Sequence, residues 1–177
     1  MVFRQVFAGD PIRSLWDRVP DDELNAVLPF LSKRPVPVGL IAAALNLCVM
    51  VDALDVNISG SIQKTHDDPA QFRVTVNVAD APVRQRFTVA HEIAHYLLHR
   101  NLIDKDGIVD TILYRSSLSN IQEVEANRLA SSILLPWREV HNWCMETSKR
   151  QPDLESLFSI AHAFRVSELT VGFRFGF

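Results

Sequence analysis

The chain has 177 residues, of which 47% are hydrophobic and 22% are charged, and its formal net charge is -3. This length and composition predict a globular, soluble domain with a core of its own. The small negative charge excludes a general attraction to nucleic acid or anionic lipid, and the two cysteines are too few for a disulfide framework. The sequence contains neither a secretory signal nor a membrane-spanning stretch, so a cytoplasmic location is expected.

Apolar periodicity, turn residues and capping signals divide the chain into helices around a small group of strands. In chain order we predict helices at 21–31 and 38–47, strands at 48–52, 59–64 and 72–78, a helix at 82–100, a loop at 101–118, and helices at 119–135, 137–147, 152–164 and after 167. Asp21 or Asp22 is the expected N-cap of the first helix, Ser119 opens a capping box, and Ser167 caps the last helix. Helices packed around a small sheet make the fold class α+β.

The predicted helix at 82–100 is apolar on most sides, yet its middle carries the sequence HEIAH, from His91 to His95. On a helix the two histidines lie about 40° apart, so their imidazoles project side by side. Such a pair can share one Zn²⁺, and Glu92 lies where it can take a proton from water on the metal. This pattern is typical of zinc peptidases. The alternative, a metal-free pair of hydrogen-bonded core histidines, stays open.

The third zinc ligand must come from another part of the chain. A metzincin would place a third histidine on the same segment, but Asn101 stands there, so that class is excluded. His99 drifts about 80° round the helix from His91 and lies a turn too far along it. We therefore expect a surface or helix-end role for His99.

A carboxylate from the helix at 119–135 is the remaining source, and its two candidates are Glu123 and Glu125. Glu123 shares a mostly apolar face with small residues that would let this helix approach the histidines. Glu125 lies about 200° away and is expected to stay solvated. Glu123 is therefore the predicted third ligand. Asn127, one turn later on the same face, could bond the second nitrogen of a ligating imidazole, and Tyr114 is a candidate oxyanion stabiliser.

Three segments carry a resemblance to a known family, namely 76–99 (VNVADAPVRQRFTVAHEIAHYLLH), 123–136 (EVEANRLASSILLP) and 164–168 (FRVSE). In this order they resemble the ImmA/IrrE family of zinc metallo-endopeptidases, within the glutamate-ligand zincins, and the likeness covers residues 36–177. In that family a Glu-x-x-Ala-Asn or Glu-x-x-Ala-Asp motif supplies the third ligand from its first residue, here Glu123. Two departures are mild: Ala94 replaces a common glycine, and Leu135 replaces a frequent methionine.

The resemblance implies a small twisted β-sheet with a zincin-like active-site helix and surrounding helices, and Zn²⁺ as the cofactor. We expect a metallopeptidase core at 36–140 and a C-terminal helical segment packed on the core at 141–177, preceded by an N-terminal helical extension at 1–35 that lies outside the resemblance. The resemblance also implies a regulatory endopeptidase that cleaves a helix-turn-helix repressor or antitoxin. The alternative is a non-cleaving, zinc-containing protein that binds such a partner, as an antirepressor or toxin–antitoxin component does.

The last predicted helices raise direct DNA binding as a further possibility. The segment 160–175 (IAHAFRVSELTVGFRF) has the outline of a helix-turn-helix, but the usual turn glycine is absent. Its second helix offers a single basic residue, Arg174, whereas DNA-reading helices are rich in arginine and lysine. We therefore expect a protein partner and no direct contact with nucleic acid.

Overall fold

The computed structural model of the chain describes residues 2–65, 72–103, 108–111, 120–147 and 151–177. In these ranges the elements are α1 (Arg13–Trp16), α2 (Asp21–Val27), α3 (Val38–Ala44), β1 (Leu47–Asp52), β2 (Ile58–Lys64), β3 (Phe72–Asn77), α4 (Pro82–His99), β4 (Ile108–Thr111), α5 (Asn120–Leu134), α6 (Trp137–Glu146), α7 (Leu157–Phe164) and α8 (Glu168–Phe175). Short 3-10 helices cover Val2–Phe7, Leu28–Phe30 and Arg100–Leu102. The predicted α+β class is confirmed. None of the described helices is both long and apolar enough to cross a membrane.

The strands form a mixed four-stranded sheet in the order β1-β3-β2-β4. The edge strand β1 runs parallel to its neighbour β3, and their pairing begins with Leu47 opposite Phe72. Strand β2 runs antiparallel to both of its neighbours, β3 and β4. On β3 the predicted alternation is present, because Phe72, Val74 and Val76 are buried and the residues between them are half-buried. A period of two places these three side chains on one face, toward the core.

The long helix α4 lies between this sheet and α5, and it contacts β2, β3, α3 and α5. Its first residue is Pro82, which suits a first helical turn because that position needs no backbone donor. Nearly every residue from Thr88 to His99 is buried, with only Leu98 half-buried. The polar groups in the middle of α4 therefore lie in the interior, where they require partners.

The N-terminal residues pack into the same hydrophobic core as the rest of the chain. Trp16 is fully buried, its ring stacks on Phe7 with centroids 4.4 Å apart, and its indole N–H donates to Ser132 Oγ of α5 at 3.0 Å. Leu24 and Val27 of α2 belong to the same core cluster. The predicted boundaries after residues 35 and 140 stay predictions.

Two element boundaries differ from the sequence expectation. β4 lies within the segment 101–118, which the sequence predicted to be a loop. Its strand conformation is stabilised by pairing with β2, which is distant in sequence, so the local sequence gives no signal for it. The N-cap of α2 is Pro20, without a side-chain capping bond, so the expected caps Asp21 and Asp22 lie in the first turn. There their carboxylates still favour the positive end of the helix.

The helix predicted at 152–164 is shorter than expected, and α7 begins only at Leu157. Asp153 and Ser156 explain the delay, because each side chain accepts a hydrogen bond from the backbone N–H of the other, at 2.8 and 2.9 Å. Such local bonds compete with helical ones. The cap of α8 follows the prediction, since Ser167 Oγ accepts from the backbone N–H of Thr170 at 3.1 Å. Ser119 lies outside the described residues.

Candidate metal centre

The helix α4 presents His91 and His95 on one side, toward α5, where Glu123 lies in the first turn. The two Nε2 atoms are 2.9 Å apart, and each lies 3.5 Å from one carboxylate oxygen of Glu123. Donors bound at about 2.0–2.1 Å to one tetrahedral Zn²⁺ lie roughly 3.3 Å from each other. The two distances of 3.5 Å reach different oxygens of Glu123, and one ligand atom from each of the three residues lies within 4.8 Å of the others. The three residues are therefore close enough to share one zinc ion.

The protonation of this cluster also fits a metal. His91 and His95 are 2% and 0% exposed. Burial, and then the neighbouring His91 and His99, lower the pKa of His95 to about 2, so its ring is neutral. A neutral imidazole keeps a lone pair on one nitrogen, which a metal ligand must offer. Glu123 is 20% exposed at its side chain, so the cluster has one side that solvent can reach.

Glu92 lies beside this cluster, fully buried between α4 and β2. The close approach of β2 depends on Gly60, since a Cβ added there would lie 2.4 Å from Thr88 Cγ2 and 3.7 Å from Glu92 Oε1. The missing side chain thus avoids a clash with Thr88 and with the backbone carbonyl of Thr75, 2.8 Å from the added Cβ, and lets β2 pack against the part of α4 that carries Glu92. A carboxylate held next to the histidines and away from bulk water is placed for proton transfer.

The structure corrects two expectations at this site. His99 is buried, 3% exposed, and its Nδ1 lies 3.2 Å from Nδ1 of His95. Its Nε2 lies 3.0 Å from Oε2 of Glu125, which also pairs with Arg18. The Arg18 hydrogen bond, opposed by some desolvation and supported by His99, lowers the pKa of Glu125. His99 is the last residue of α4, so the helix-end alternative holds, but the residue is buried and does not lie at the surface. Glu125 keeps a side chain that is 22% exposed, yet it is paired with Arg18 and His99 and is not a freely solvated charge.

Two further predicted residues have different outcomes. Asn127 is half-buried on α5, one turn after Glu123, and its backbone carbonyl accepts a hydrogen bond from Ser131 Oγ at 2.8 Å. The bond from its side chain to a ligating histidine stays a prediction. Tyr114 lies outside the described residues.

A cleft of about 550 Å³ opens between α4, α5 and α8. Its walls include Phe87 and Thr88 of α4, Asn127 of α5, and Leu169 and Phe173 of α8. The Phe87 ring stacks near that of His91, with centroids 6.3 Å apart. Leu169 is 82% exposed and Phe173 is 53% exposed. Through Phe87 the cleft approaches His91, and its exposed apolar wall suits an apolar ligand group.

The basic residue of α8 that the helix-turn-helix outline offered for DNA contact is buried in the structure. Arg174, the single basic residue of α8, is 2% exposed at its side chain and pairs with Asp10 at 2.6 Å. It also bonds the carbonyl of Leu135, so it is part of the core. A side chain in this position cannot reach a phosphate group. The exposed part of α8 is instead apolar, with Leu169 and Phe173.

Comparison with known proteins adds two findings. The sequence matches the family model of the M78 peptidases, described as the IrrE N-terminal-like domain, over residues 52–175. Among solved structures, a Mycobacterium tuberculosis transcriptional regulator has a similar fold, with a TM-score of 0.54 and 19% sequence identity, covering 98% of this chain and 52% of that one. The chain therefore spans about half the length of that regulator. No curated protein sequence matches this one.

Proposed function

Because this chain belongs to the M78 peptidase family with an IrrE N-terminal-like domain, we propose that it is a zinc-dependent endopeptidase that hydrolyses a peptide bond in a regulatory protein. The observation that carries the proposal is the convergence of His91, His95 and Glu123, whose donor atoms all lie within 4.8 Å of one another. Two imidazoles and one carboxylate are a donor set of catalytic zinc sites. A zinc ion held by these three residues would have a position free for water or substrate.

Each residue of the site has a distinct role in this proposal. His91, His95 and Glu123 hold the ion, which when bound acts as a Lewis acid that polarises a carbonyl oxygen and acidifies water. Glu92 accepts a proton from the attacking water on a carboxylate oxygen as the new C–O bond forms. It then delivers that proton to the amide nitrogen as the C–N bond breaks. Water is thus divided between the new carboxyl and amine ends, and Glu92 is restored.

The exposed apolar cleft supports a polypeptide substrate. It begins at Phe87, one turn before His91, and extends to Leu169 and Phe173 on α8. An apolar side chain of a bound peptide that enters this cleft would bring its neighbouring peptide bond close to the histidines. The cleft would then determine which residue is accepted beside the cleaved bond.

We infer that the substrate is a helix-turn-helix transcriptional regulator or an antitoxin. The family resemblance of the motifs supports this choice, and the structural relative described above is itself a transcriptional regulator. The burial of Arg174 supports a protein partner over DNA, because it removes the basic residue of α8 from the surface. Recognition would therefore occur between proteins.

The experiment that tests the function mixes the purified, zinc-loaded chain with a candidate helix-turn-helix regulator, chosen from the genes that neighbour its own. Two fragments whose masses sum to the substrate plus one water, detected by mass spectrometry, are the expected result. Glu92→Gln should abolish cleavage and still bind zinc, because it leaves the three ligands in place and removes the proton acceptor. A stable complex with no fragments from the wild-type chain would instead favour the non-cleaving, partner-binding alternative.

A further inference from the structure

A chain of hydrogen-bonding groups leads away from the predicted metal ligand His95. We propose that His99 and Glu125 form a relay that positions His95 for zinc binding by fixing which of its ring nitrogens carries the proton. The contacts are His95 Nδ1 to His99 Nδ1 at 3.2 Å and His99 Nε2 to Glu125 Oε2 at 3.0 Å. This inference rests on the proposed zinc site and adds two residues outside it.

The direction of each hydrogen bond follows from the carboxylate end. Ionised Glu125 can only accept, so His99 donates from Nε2. The relay requires a His99 ring with a single proton, on Nε2, so that its Nδ1 lone pair accepts from His95. His95 therefore carries its proton on Nδ1 and keeps the lone pair on Nε2, the atom that faces His91 and Glu123. The relay thus selects the tautomer that a metal requires.

The opposite arrangement is disfavoured by Glu125. If His99 donated from Nδ1 to His95, its Nε2 lone pair would face the Glu125 carboxylate oxygen at 3.0 Å. Two acceptors at that distance repel, and His99 is buried, so water does not relieve the conflict. Glu125 is itself held in place by its ion pair with Arg18 of the N-terminal region.

Residues that bond the second nitrogen of a ligating histidine typically contribute a factor of about 10–100 to metal affinity. In many zinc sites a carboxylate makes that bond directly. Here the carboxylate acts through a second imidazole, because His99 lies one helical turn after His95 and fills the space between the two. His99 and Glu125 are therefore positioning residues, and their effect must appear in zinc affinity.

The test measures the zinc Kd by competition with a chelator for His99→Phe and Glu125→Ala, together with the thermal midpoint of each zinc-free protein. Both variants should bind zinc about 10–100-fold more weakly than the wild type. Glu125→Gln should lie between Glu125→Ala and the wild type, because its amide oxygen can still accept from His99. A partial recovery of zinc affinity in Glu125→Gln relative to Glu125→Ala would point to the hydrogen bond to His99, because a loss of packing alone does not predict it.

Matched controls separate the relay from general damage to the fold. Glu139→Ala removes a carboxylate of similar exposure, 17% against 22%, which also pairs with an arginine. His141→Phe makes the same exchange as His99→Phe at a histidine outside the site, which bonds a backbone carbonyl. Both controls should keep a zinc affinity within about twofold of the wild type, since neither residue touches the site.

A spectroscopic measurement follows the tautomer itself. The ¹⁵N shifts of the His95 ring in the zinc-free wild type should show the proton on Nδ1, and Glu125→Ala should move population to the Nε2–H form. If His99→Phe is too unstable to measure, Glu125→Ala decides, because its side chain is nearer the surface. Unchanged zinc affinity and tautomer in Glu125→Ala would overturn the relay alone. A wild-type chain that binds no zinc would overturn the proposed function together with the relay.

Discussion

Replacement of Asp10 with alanine should strongly destabilise the protein, because it removes one partner of a buried ion pair. The side chains of Asp10 and Arg174 are 1% and 2% exposed, and they meet at 2.6 Å. Asp10 also accepts bonds from Ser132 Oγ at 3.1 Å and from the backbone N–H of Ile12 at 3.0 Å. Burial lowers the pKa of Arg174, and the neighbouring Asp10 opposes that shift. The attraction between the two charges therefore offsets part of the free energy that removing Arg174 from water costs.

The size of the destabilisation follows from the buried charge of Arg174, which Asp10→Ala leaves without its carboxylate partner. Breaking a buried pair from one side typically costs about 3–5 kcal/mol. In a chain of this length 1 kcal/mol corresponds to about 2–4 °C, so the thermal midpoint should fall by about 6–20 °C. Chemical denaturation gives the change in the free energy of unfolding, and a thermal scan provides the second reading.

The control is the exposed pair of Arg13 and Asp17, whose side chains are 53% and 46% exposed. Asp17→Ala should cost about 0.5 kcal/mol or less, because solvent screens that pair. Replacing both buried charges, in Asp10→Leu with Arg174→Met, should recover most of the loss. If Asp10→Ala costs no more than Asp17→Ala, the reasoning about the buried pair is wrong.

The remaining predictions concern the site and its surroundings. Gly60→Ala should lower the free energy of unfolding by about 1–3 kcal/mol and weaken zinc binding, since the new Cβ would lie 2.4 Å from Thr88 Cγ2. Gly39→Ala, where no atom lies within 4 Å, should leave stability unchanged or slightly raise it, and equal losses at both glycines would contradict this account. Leu169→Asp should weaken binding of the regulator to the inactive Glu92→Gln chain, whereas Leu154→Asp, at 71% exposure against 82%, should not. Zinc at about 100 times its Kd should stabilise the wild-type fold by about 2.7 kcal/mol, seen as a higher thermal midpoint.

The elements that the sequence predicted well are those specified by local signals. The bounds of α4 follow from Pro82 at the start and from unbroken helical periodicity to His99. The alternation of Phe72, Val74 and Val76 predicted β3, and Ser167 marked the start of α8. In each case the deciding residues lie within a few positions of one another.

The features that the sequence missed depend on contacts between distant residues. β4 is a short edge strand whose pairing with β2 crosses more than forty residues. The bond from His99 to Glu125 joins positions 26 residues apart, and the ion pair from Arg18 to Glu125 joins positions 107 apart. A helical wheel describes one helix alone, so it could not show that Glu125, which keeps some exposure, pairs with Arg18 and His99 from other parts of the chain.

The candidate site lies between these two cases. The spacing of His91 and His95 is a local signal, and the choice of Glu123 over Glu125 needed only the apolar face of α5. The distances of 3.5 Å from Glu123 to both histidines agree with that choice. The assignment of these residues as zinc ligands remains a prediction that metal analysis can test.

The most direct test of the central claim is the zinc content of the purified chain, measured by elemental analysis beside protein concentration. We expect about one zinc ion per wild-type chain, and loss of the metal in His95→Ala and Glu123→Ala. His162→Ala, which changes an exposed histidine away from the site, should keep the full content. A wild-type chain without zinc, or a Glu123→Ala variant that retains it with unchanged affinity, would contradict the account.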